Sequence, residues 1–313
     1  MFAMRDANNR IRIDWINDMA LHQPAELVRL SEEAYNTQID RAIERVYDAR
    51  EEKPILLVSG PSASSKTTTA GKIAEGLQKK GIRSAVVSLD DFFKDRDKLP
   101  ILPNGETDFE SVDTLHMPTV NACFDALLQT GKAMFPRFDF VEGKRIENVH
   151  PVEAGHGSVL IVEGIHALNP KITEGCVGSA GDFLRLYISP NGDYAEDGKT
   201  VLSAREIRCI RRLVRDHLYR GSSIENTMKM WNGVVRSEVV NILPYQSEAD
   251  IVVDSTLLYE PTIWAKQLEA ALGDQEVSLR YEPKLRKLCR SLARFIPIDP
   301  ALLPNETVLH EFF

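Results

Sequence analysis

The chain has 313 residues, of which 43% are hydrophobic and 27% are charged, and this composition is ordinary for a globular protein. Its formal net charge of −8 argues against a non-specific nucleic-acid binder, which needs a basic surface. No apolar run approaches the roughly 18 residues of a membrane span, and the four cysteines are far apart, so we expect reduced thiols in a cytoplasmic protein.

Three regions follow one another along the chain. Residues 1–53 are polar with helical periodicity, and they predict an N-terminal helical extension. Within 54–258, strand-like and helix-like segments alternate, which is typical of an α/β domain with a mostly parallel sheet and helices on both faces. Residues 259–313 predict a C-terminal helical segment and a tail packed on that domain.

The alternating elements can be located from the spacing of apolar residues. The strand candidates are 55–59, 84–89, 158–163, 183–188 and 250–254. The expected helices are 67–80, 117–130, 203–219, 224–241 and 262–272. Short runs around Gly143 break the alternation and predict a β-hairpin within 133–149.

A small-residue loop, Gly60-Pro-Ser-Ala-Ser-Ser-Lys66-Thr67, joins the first strand to the first helix of this domain. That context predicts a phosphate-binding loop, because unpaired N–H groups and the dipole at a helix start attract anions. Lys66 would reach the β- and γ-phosphates, and the Thr67 hydroxyl would hold Mg²⁺. Ser65 stands where the pattern has glycine, so it is expected either to keep a helical φ or to crowd the site. A cluster of helix N-caps is the alternative interpretation.

Two further strands end in carboxylates. Asp90 and Asp91 follow the apolar run that begins at Ser84, and Glu163 ends the run that begins at Val159. In open α/β sheets, ligands bind beyond the carboxyl ends of the strands. Phosphoryl transfer needs a base near the acceptor hydroxyl and a carboxylate that holds Mg²⁺, which makes Asp90 and Glu163 candidates for these roles. Taken singly, Asp90 and Asp91 could instead be a helix N-cap or turn, and Glu163 a strand exit.

Arginine is the fourth component. Ser203-Ala-Arg-Glu206 has the form of a capping box, which predicts a helix start. Arg205, Arg208, Arg212 and Arg215 then recur at spacings of three and four and form one stripe. Such a stripe can hold a phosphate chain through bidentate contacts, or it can be a solvated face paired with acidic residues.

Together these residues resemble the phosphoribulokinase/uridine kinase family of P-loop kinases, in particular its uridine kinase-like branch. The landmarks occur in the family's order at residues 60–68, 88–93, 108–111, 136–140, 162–165 and 211–216, with Arg220-Gly221. The resemblance implies a P-loop NTPase fold with a small β-hairpin insertion and an arginine-bearing lid helix. It also implies ATP- and Mg²⁺-dependent phosphoryl transfer to the 5′-hydroxyl of a nucleoside.

The resemblance assigns roles by motif position. Catalysis falls to Asp90 as the base with Lys66, Arg212 and Arg215. The nucleotide would be bound by Gly60, Ser62, Ser64, Ser65, Lys66, Thr67, Thr68 and Arg208. The metal would be held by Thr67, Glu163 and Asp90. The acceptor would be bound by Asp90, Glu110 at the ribose diol, Phe138 near the base and Arg220. Arg145 is a further substrate-binding candidate, because a sugar-phosphate acceptor would need basic groups near Glu110.

The departures from the family lie where the nucleobase would sit. Uridine kinases have histidine, arginine and glutamine at the positions of Gly143, Ser222 and Met230, so the acceptor is left open. A sugar phosphate or a pantothenate-like molecule is the alternative acceptor, and a non-catalytic nucleotide-binding regulator is the alternative class. No nucleic-acid or membrane partner is expected, and a homo-oligomer is left open.

Overall fold

The computed structural model describes residues 3–102, 105, 107–155, 157–176, 182–273 and 277–313. Its strands, in chain order, are β1 (Ile11–Arg12), β2 (Ile55–Ser59), β3 (Ser84–Ser88), β4 (Lys132–Asp139), β5 (Lys144–Glu153), β6 (Val159–Glu163), β7 (Phe183–Ser189), β8 (Tyr194–Glu196), β9 (Lys199–Leu202) and β10 (Ile251–Asp254). Its α-helices are α1 (Ile13–His22), α2 (Pro24–Ala49), α3 (Lys66–Lys79), α4 (Met117–Thr130), α5 (Ala204–Arg220), α6 (Ile224–Ser237), α7 (Glu260–Leu272) and α8 (Glu282–Leu292). Across these described ranges, no helix has the length and apolar character required to cross a membrane.

A five-stranded parallel sheet in the order β10-β7-β2-β6-β3 forms the centre of the fold. All five residues of β2 are buried, and alternate ones enter two different cores. Leu56 and Val58 pack in one core with α2, α3 and α5, whereas Ile55 and Leu57 pack in the other with α4 and the hairpin. Both faces of the sheet are therefore covered, which explains why its strands are continuous apolar runs. The predicted P-loop NTPase α/β fold is confirmed.

The register of the sheet brings three chain segments to one edge. Val58 of β2 and Ser88 of β3 both pair with Glu163 of β6. The residues that follow these strands therefore lie at the same carboxyl edge of the sheet. These residues include the loop that begins at Gly60 and the short helical turn that contains Asp90.

Two peripheral elements flank this edge. The antiparallel hairpin β4–β5 is the predicted one, although it is longer than expected. The helix α5 begins after Ser203 with both hydrogen bonds of the predicted capping box, and it ends at Gly221, whose φ is 60°. Gly221 has the left-handed conformation that glycine tolerates best at a helix end.

Some elements were not predicted from the periodicity. A small sheet joins β1 to β8 in parallel and β8 to β9 in antiparallel orientation. The helix α8 lies in what was expected to be a mixed tail. The long helix α2 contacts α3, because the Tyr35 hydroxyl lies 2.7 Å from the Thr69 hydroxyl. These contacts pack the N-terminal and C-terminal regions on the parallel sheet.

Candidate active site

A cavity of about 640 Å³ lies at the carboxyl edge of the sheet, and we call it the cleft. The ends of β2, β3 and β6 contribute Lys66, Thr67, Asp90 and Glu163 to its lining. The opposite wall comes from α5 and the hairpin, and the remaining predicted residues in the lining are Ser62, Glu110, Phe138, Arg212, Arg215 and Arg220. The structure thus brings together most of the residues that the sequence pattern singled out, and they come from six separate segments.

The loop between β2 and α3 has the backbone of a phosphate cradle. Gly60 is required at its start, because a Cβ there would lie 2.0 Å from the carbonyl oxygen of Ile188. Ala63 and Ser65 both have left-handed φ values, 59° and 70°. Among the described residues, the buried Ser64 hydroxyl has no hydrogen-bond partner. A buried unpaired hydroxyl beside a helix start fits a site that binds an anion.

Neither expectation for Ser65 is correct. Its φ is left-handed rather than helical, and its side chain does not crowd the cleft because it is fully buried on the other side of the loop. There the Ser65 hydroxyl accepts a hydrogen bond of 3.3 Å from the Arg211 guanidinium. A left-handed non-glycine residue costs about 1–2 kcal/mol. A hydrogen bond to a charged donor contributes a similar amount, so Arg211 can offset this cost.

Arg211 is the anchor of the loop, and it is fully buried. Besides Ser65, it donates 3.2 Å and 3.0 Å hydrogen bonds to the carbonyl oxygens of Ala63 and Ser255. Its charge is paired in bidentate fashion with Glu260, at 2.5 Å and 2.7 Å. Burial of such a charge is tolerated only when it is paired and fully hydrogen-bonded. Sequence reasoning placed Arg211 in a family landmark but gave it no role.

Lys66 is the buried cation of the cleft. Its ammonium group donates a 3.2 Å hydrogen bond to the carbonyl oxygen of Pro61. Burial lowers the Lys66 pKa, while Glu163, Glu311 and Asp90 act against that shift. A lysine held this way is positioned for the charge of a phosphate chain.

The two strand-end acids have perturbed pKa values. Burial raises the pKa of Asp90, and it raises the pKa of Glu163 to about 7, while Lys66 opposes both shifts. A carboxylate with a raised pKa is a better proton acceptor near neutral pH. Because these two carboxylates and the Thr67 hydroxyl line one cleft, the donor set fits Mg²⁺, which prefers oxygen ligands. Among described residues, no three acidic, histidine or cysteine side chains form a closed metal cage, and Mg²⁺ with a nucleotide commonly needs only one or two carboxylates.

Glu110 lines the cleft from the segment between β3 and α4. Burial raises its pKa to about 7, and Arg212 partly opposes the shift. The folded protein therefore keeps a proton on Glu110 between pH 4.5 and 7, whereas the unfolded chain has lost it. Stability conferred by this group consequently falls as the pH rises through that window.

Replacing this carboxyl gives a pH-dependent change in stability. We expect Glu110→Gln to raise the free energy of unfolding by about 1–2 kcal/mol at about pH 8, and to leave it nearly unchanged at about pH 4. Urea denaturation of the unliganded protein at both pH values measures this difference. The exposed Glu248, changed to glutamine, is the control and should show no such dependence. Equal effects of Glu110→Gln at both pH values would contradict a raised pKa.

The arginines of α5 divide into two groups. Arg205 and Arg208 pair with the buried Glu238 at 3.2 Å and 2.5 Å. Arg208 also donates to the carbonyl oxygen of Ser62, so it supports the loop from outside the cleft. The second group lines the cleft and is gathered by one buried carboxylate, Asp216, which pairs with Arg212, Arg215 and Arg220. The predicted single stripe is therefore split between loop support and the cleft wall.

Part of the cleft lining is aromatic. Phe138 makes edge-to-face contacts with Phe93 and Phe140, with ring centroids 5.6 Å and 5.1 Å apart. Arg145, a predicted acceptor-binding residue, is not part of the lining. It donates to Glu147 at 2.8 Å and to the carbonyl oxygen of Phe93 at 3.1 Å.

The positions that depart from the family have different surroundings. Met230 lines the cleft. Ser222 lies outside the lining, and its hydroxyl accepts a hydrogen bond from the Asn226 amide in the first turn of α6. At Gly143, φ is 66°, and a Cβ would lie 2.9 Å from the Arg96 side chain. Arg96 lines the cleft, and among the described residues no carboxylate lies within ion-pair distance of it. An arginine thus occupies space that the glycine leaves free.

One residue of the cleft had no signal in the sequence pattern. Glu311 enters the lining from the C-terminal segment, more than 240 residues after the phosphate loop. Its carboxylate accepts a 2.6 Å hydrogen bond from the hydroxyl of Thr68. An isolated glutamate in a tail carries no motif, so only the tertiary fold could identify it.

Both curated proteins and solved structures are similar to this chain. A uridine kinase from Lactobacillus helveticus is 26% identical over 204 residues, which are 64% of this chain and 87% of that protein. A uridine kinase from Mycoplasma genitalium is 29% identical over 189 residues, 59% of this chain and 77% of that protein. A solved structure described as a possible uridine kinase from Bacillus stearothermophilus has a TM-score of 0.48 and 16% identity, covering 70% of this chain and 98% of that chain. D-glycerate 3-kinase from Cryptococcus neoformans has a TM-score of 0.34 and 19% identity, covering 87% of each chain.

The family model of the phosphoribulokinase/uridine kinase family matches residues 55–193 and 197–258, well over half of the chain. The matched ranges contain the phosphate loop, both acid-tipped strands and the helix α5. They do not contain the C-terminal segment that carries Glu311. On this match, the chain belongs to the phosphoribulokinase/uridine kinase family of P-loop kinases.

Proposed function

We propose that the protein transfers the γ-phosphoryl group of ATP, bound with Mg²⁺, to the 5′-hydroxyl of a nucleoside. The observation that carries the proposal is the convergence of Lys66, Asp90 and Glu163 at one edge of the sheet, facing Arg212 and Arg215 of α5. A phosphate cradle, a base, a metal carboxylate and a cationic wall are the parts that phosphoryl transfer uses. The catalytic unit would be residues 54–258, and a cytoplasmic location fits its reduced, dispersed cysteines.

The donor side would bind the nucleotide phosphates. The backbone from Gly60 to Ser65 would present N–H groups to the phosphates, with the Ser62 and Ser64 hydroxyls beside them. The Thr68 hydroxyl lies one residue further along the helix, and Arg208 supports the loop through the Ser62 carbonyl. Magnesium bound with the nucleotide would neutralise charge on the β- and γ-phosphates, and Thr67, Asp90 and Glu163 would hold it.

The chemical step would use Asp90 as general base. As the acceptor oxygen bonds to the γ-phosphorus, the bond from that phosphorus to the bridging β,γ oxygen breaks, and Asp90 takes the proton of the hydroxyl. Lys66, Arg212 and Arg215 would stabilise the charge on the transferred group and on the leaving ADP. Asp216 holds those two arginines in place through ion pairs of 3.2 Å and 2.8 Å.

The acceptor would lie between Glu110 and the aromatic cluster. Glu110 would accept hydrogen bonds from the ribose diol, and Phe138 would pack against the base. Arg220 lines this wall and would contact the acceptor. Arg145 would act indirectly, by fixing the backbone of Phe93 beneath the aromatic cluster.

A second acceptor class is favoured by one observation. Arg96 lines the cleft, where its guanidinium donates a 2.8 Å hydrogen bond to the carbonyl oxygen of Phe140. Among the described residues no carboxylate lies within ion-pair distance of it, which suits an acceptor that carries an anionic group. A sugar phosphate or a pantothenate-like carboxylate would satisfy it. Such an acceptor would keep the same donor site and the same base.

A coupled ADP-release assay over nucleosides, sugar phosphates and pantothenate tests the proposal. We expect turnover that depends on both ATP and Mg²⁺, with a nucleoside giving the highest kcat/KM. If a sugar phosphate or pantothenate is the best substrate, the proposed nucleoside acceptor is wrong, but the protein is still a kinase. Tight ATP binding with no turnover of any acceptor would instead indicate a nucleotide-binding regulator.

A further inference from the structure

The hydroxyl of Thr68 is held by an anion that belongs to the protein itself. The Glu311 carboxylate accepts its 2.6 Å hydrogen bond. Thr68 lies in the first turn of α3, where free N–H groups and the helix dipole favour negative charge. Glu311 also lies close enough to Lys66 to act against the lowering of the Lys66 pKa, and it ranks ahead of Asp90 in this effect. A carboxylate therefore lies at the phosphate-binding end of the cleft.

The position of Glu311 is determined by firm packing of the residues before and after it in the chain. Val308, Leu309 and Phe312 have no exposed surface. Phe312 lies against the Arg211 guanidinium, 5.2 Å from its ring centroid to the guanidinium carbon. Phe313 makes an edge-to-face contact with Trp264, with centroids 5.4 Å apart. The C-terminal segment is thus packed firmly against the site. Within this segment, the half-buried Glu311 side chain is the part that can change rotamer.

A nucleotide that enters the cleft needs the same groups. In the proposed donor site, its phosphates would take the Thr68 hydroxyl and the Lys66 charge, both of which Glu311 now faces. The carboxylate must then give up its hydrogen bond and remain close to a polyanion. Both effects disfavour the bound state, because like charges at short range in a partly buried site repel.

We propose that Glu311 is an affinity-determining residue of the donor site, where its carboxylate competes with the phosphates of the nucleotide for the start of α3. This inference rests on the proposed function for the identity of the ligand. It gives the C-terminal segment, which lies outside the family match, a part in the reaction cycle. A weaker hold on phosphates would also speed the release of ADP after transfer.

The test compares Glu311→Gln with the unaltered protein by calorimetry, using ATP with Mg²⁺, ADP and inorganic pyrophosphate. Glutamine keeps an acceptor for Thr68 but removes the charge. We expect the Kd for ADP and for pyrophosphate to fall about tenfold, which corresponds to about 1.4 kcal/mol. Glu306→Gln, an exposed position in the same segment, is the matched control and should leave both Kd values unchanged.

The possible outcomes separate this inference from the proposed function. If the unaltered protein binds ATP and Glu311→Gln binds the three ligands equally or more weakly, the inference is wrong and the kinase proposal stands. If neither protein binds any nucleotide, the proposed function is itself wrong. Structural damage cannot imitate the expected result, since a disturbed site would lose affinity rather than gain it.

Discussion

The Asp90→Asn protein should turn over about 10²–10⁴-fold more slowly than the unaltered protein, with little change in its affinity for ATP. The amide keeps the size of the side chain but cannot accept the proton of the acceptor hydroxyl. Asp90 is suited to that task, because burial raises its pKa above the usual value and makes it a stronger base, while Lys66 opposes the shift. Steady-state ADP release measures kcat, and calorimetry measures ATP binding.

The neighbouring aspartate provides a matched control. Asp91 is not part of the cleft lining, and its Oδ1 accepts a 3.1 Å hydrogen bond from the backbone N–H of Phe138. Asp91→Asn retains an oxygen that can accept this bond, so we expect nearly full activity. Unchanged turnover in Asp90→Asn, or an equal loss in Asp91→Asn, would show that Asp90 is not the base.

The central sheet was predictable because its signals are local. Each parallel strand is an apolar run buried on both faces, and each covering helix has its own 3.6-residue periodicity. The carboxyl-edge rule then placed the loop at Gly60, Asp90 and Glu163 together without any knowledge of the register. The small sheet of β1, β8 and β9 was missed, because strands of two to four residues are too short to show an alternation.

The features that the sequence could not predict depend on contacts between residues that are distant along the chain. The left-handed Ser65 is supported by Arg211, which lies 146 residues later and donates a hydrogen bond to its hydroxyl. The position of Glu311 in the cleft lining depends on the C-terminal segment, which packs against the same arginine through Phe312. Arg145 lies on β5 of the hairpin and Arg96 packs against Gly143 at its turn, yet of the two only Arg96 lines the cleft. Charge alone did not distinguish them.

These distant contacts meet at one residue. Arg211 links the phosphate loop through Ala63 and Ser65, the strand end through Ser255, and α7 through Glu260. A serine can replace the usual glycine of the loop here because this link exists. The loop and its support should therefore fail together when Arg211 is removed.

We expect Arg211→Met to lower the free energy of unfolding by about 3–5 kcal/mol, since Glu260 would remain buried with an unpaired charge. Glu260 would keep only the 2.8 Å hydrogen bond from the indole N–H of Trp264. Urea denaturation measures the loss. Arg29→Met removes an arginine from exposed ion pairs with Glu26 and Glu33, and as a control it should change stability by less than about 1 kcal/mol.

The double variant Arg211→Met, Glu260→Gln separates stability from binding. Glutamine removes the buried charge but can still accept from Trp264, so most of the lost stability should return. The carbonyl of Ala63 and the hydroxyl of Ser65 would still lack their donor, and the left-handed Ser65 would have no compensation. We therefore expect the Kd for ADP to remain about tenfold to a hundredfold higher than in the unaltered protein, the equivalent of one or two lost hydrogen bonds. A stable double variant that binds ADP normally would show that Arg211 serves the fold alone, and that the phosphate loop holds its conformation without it.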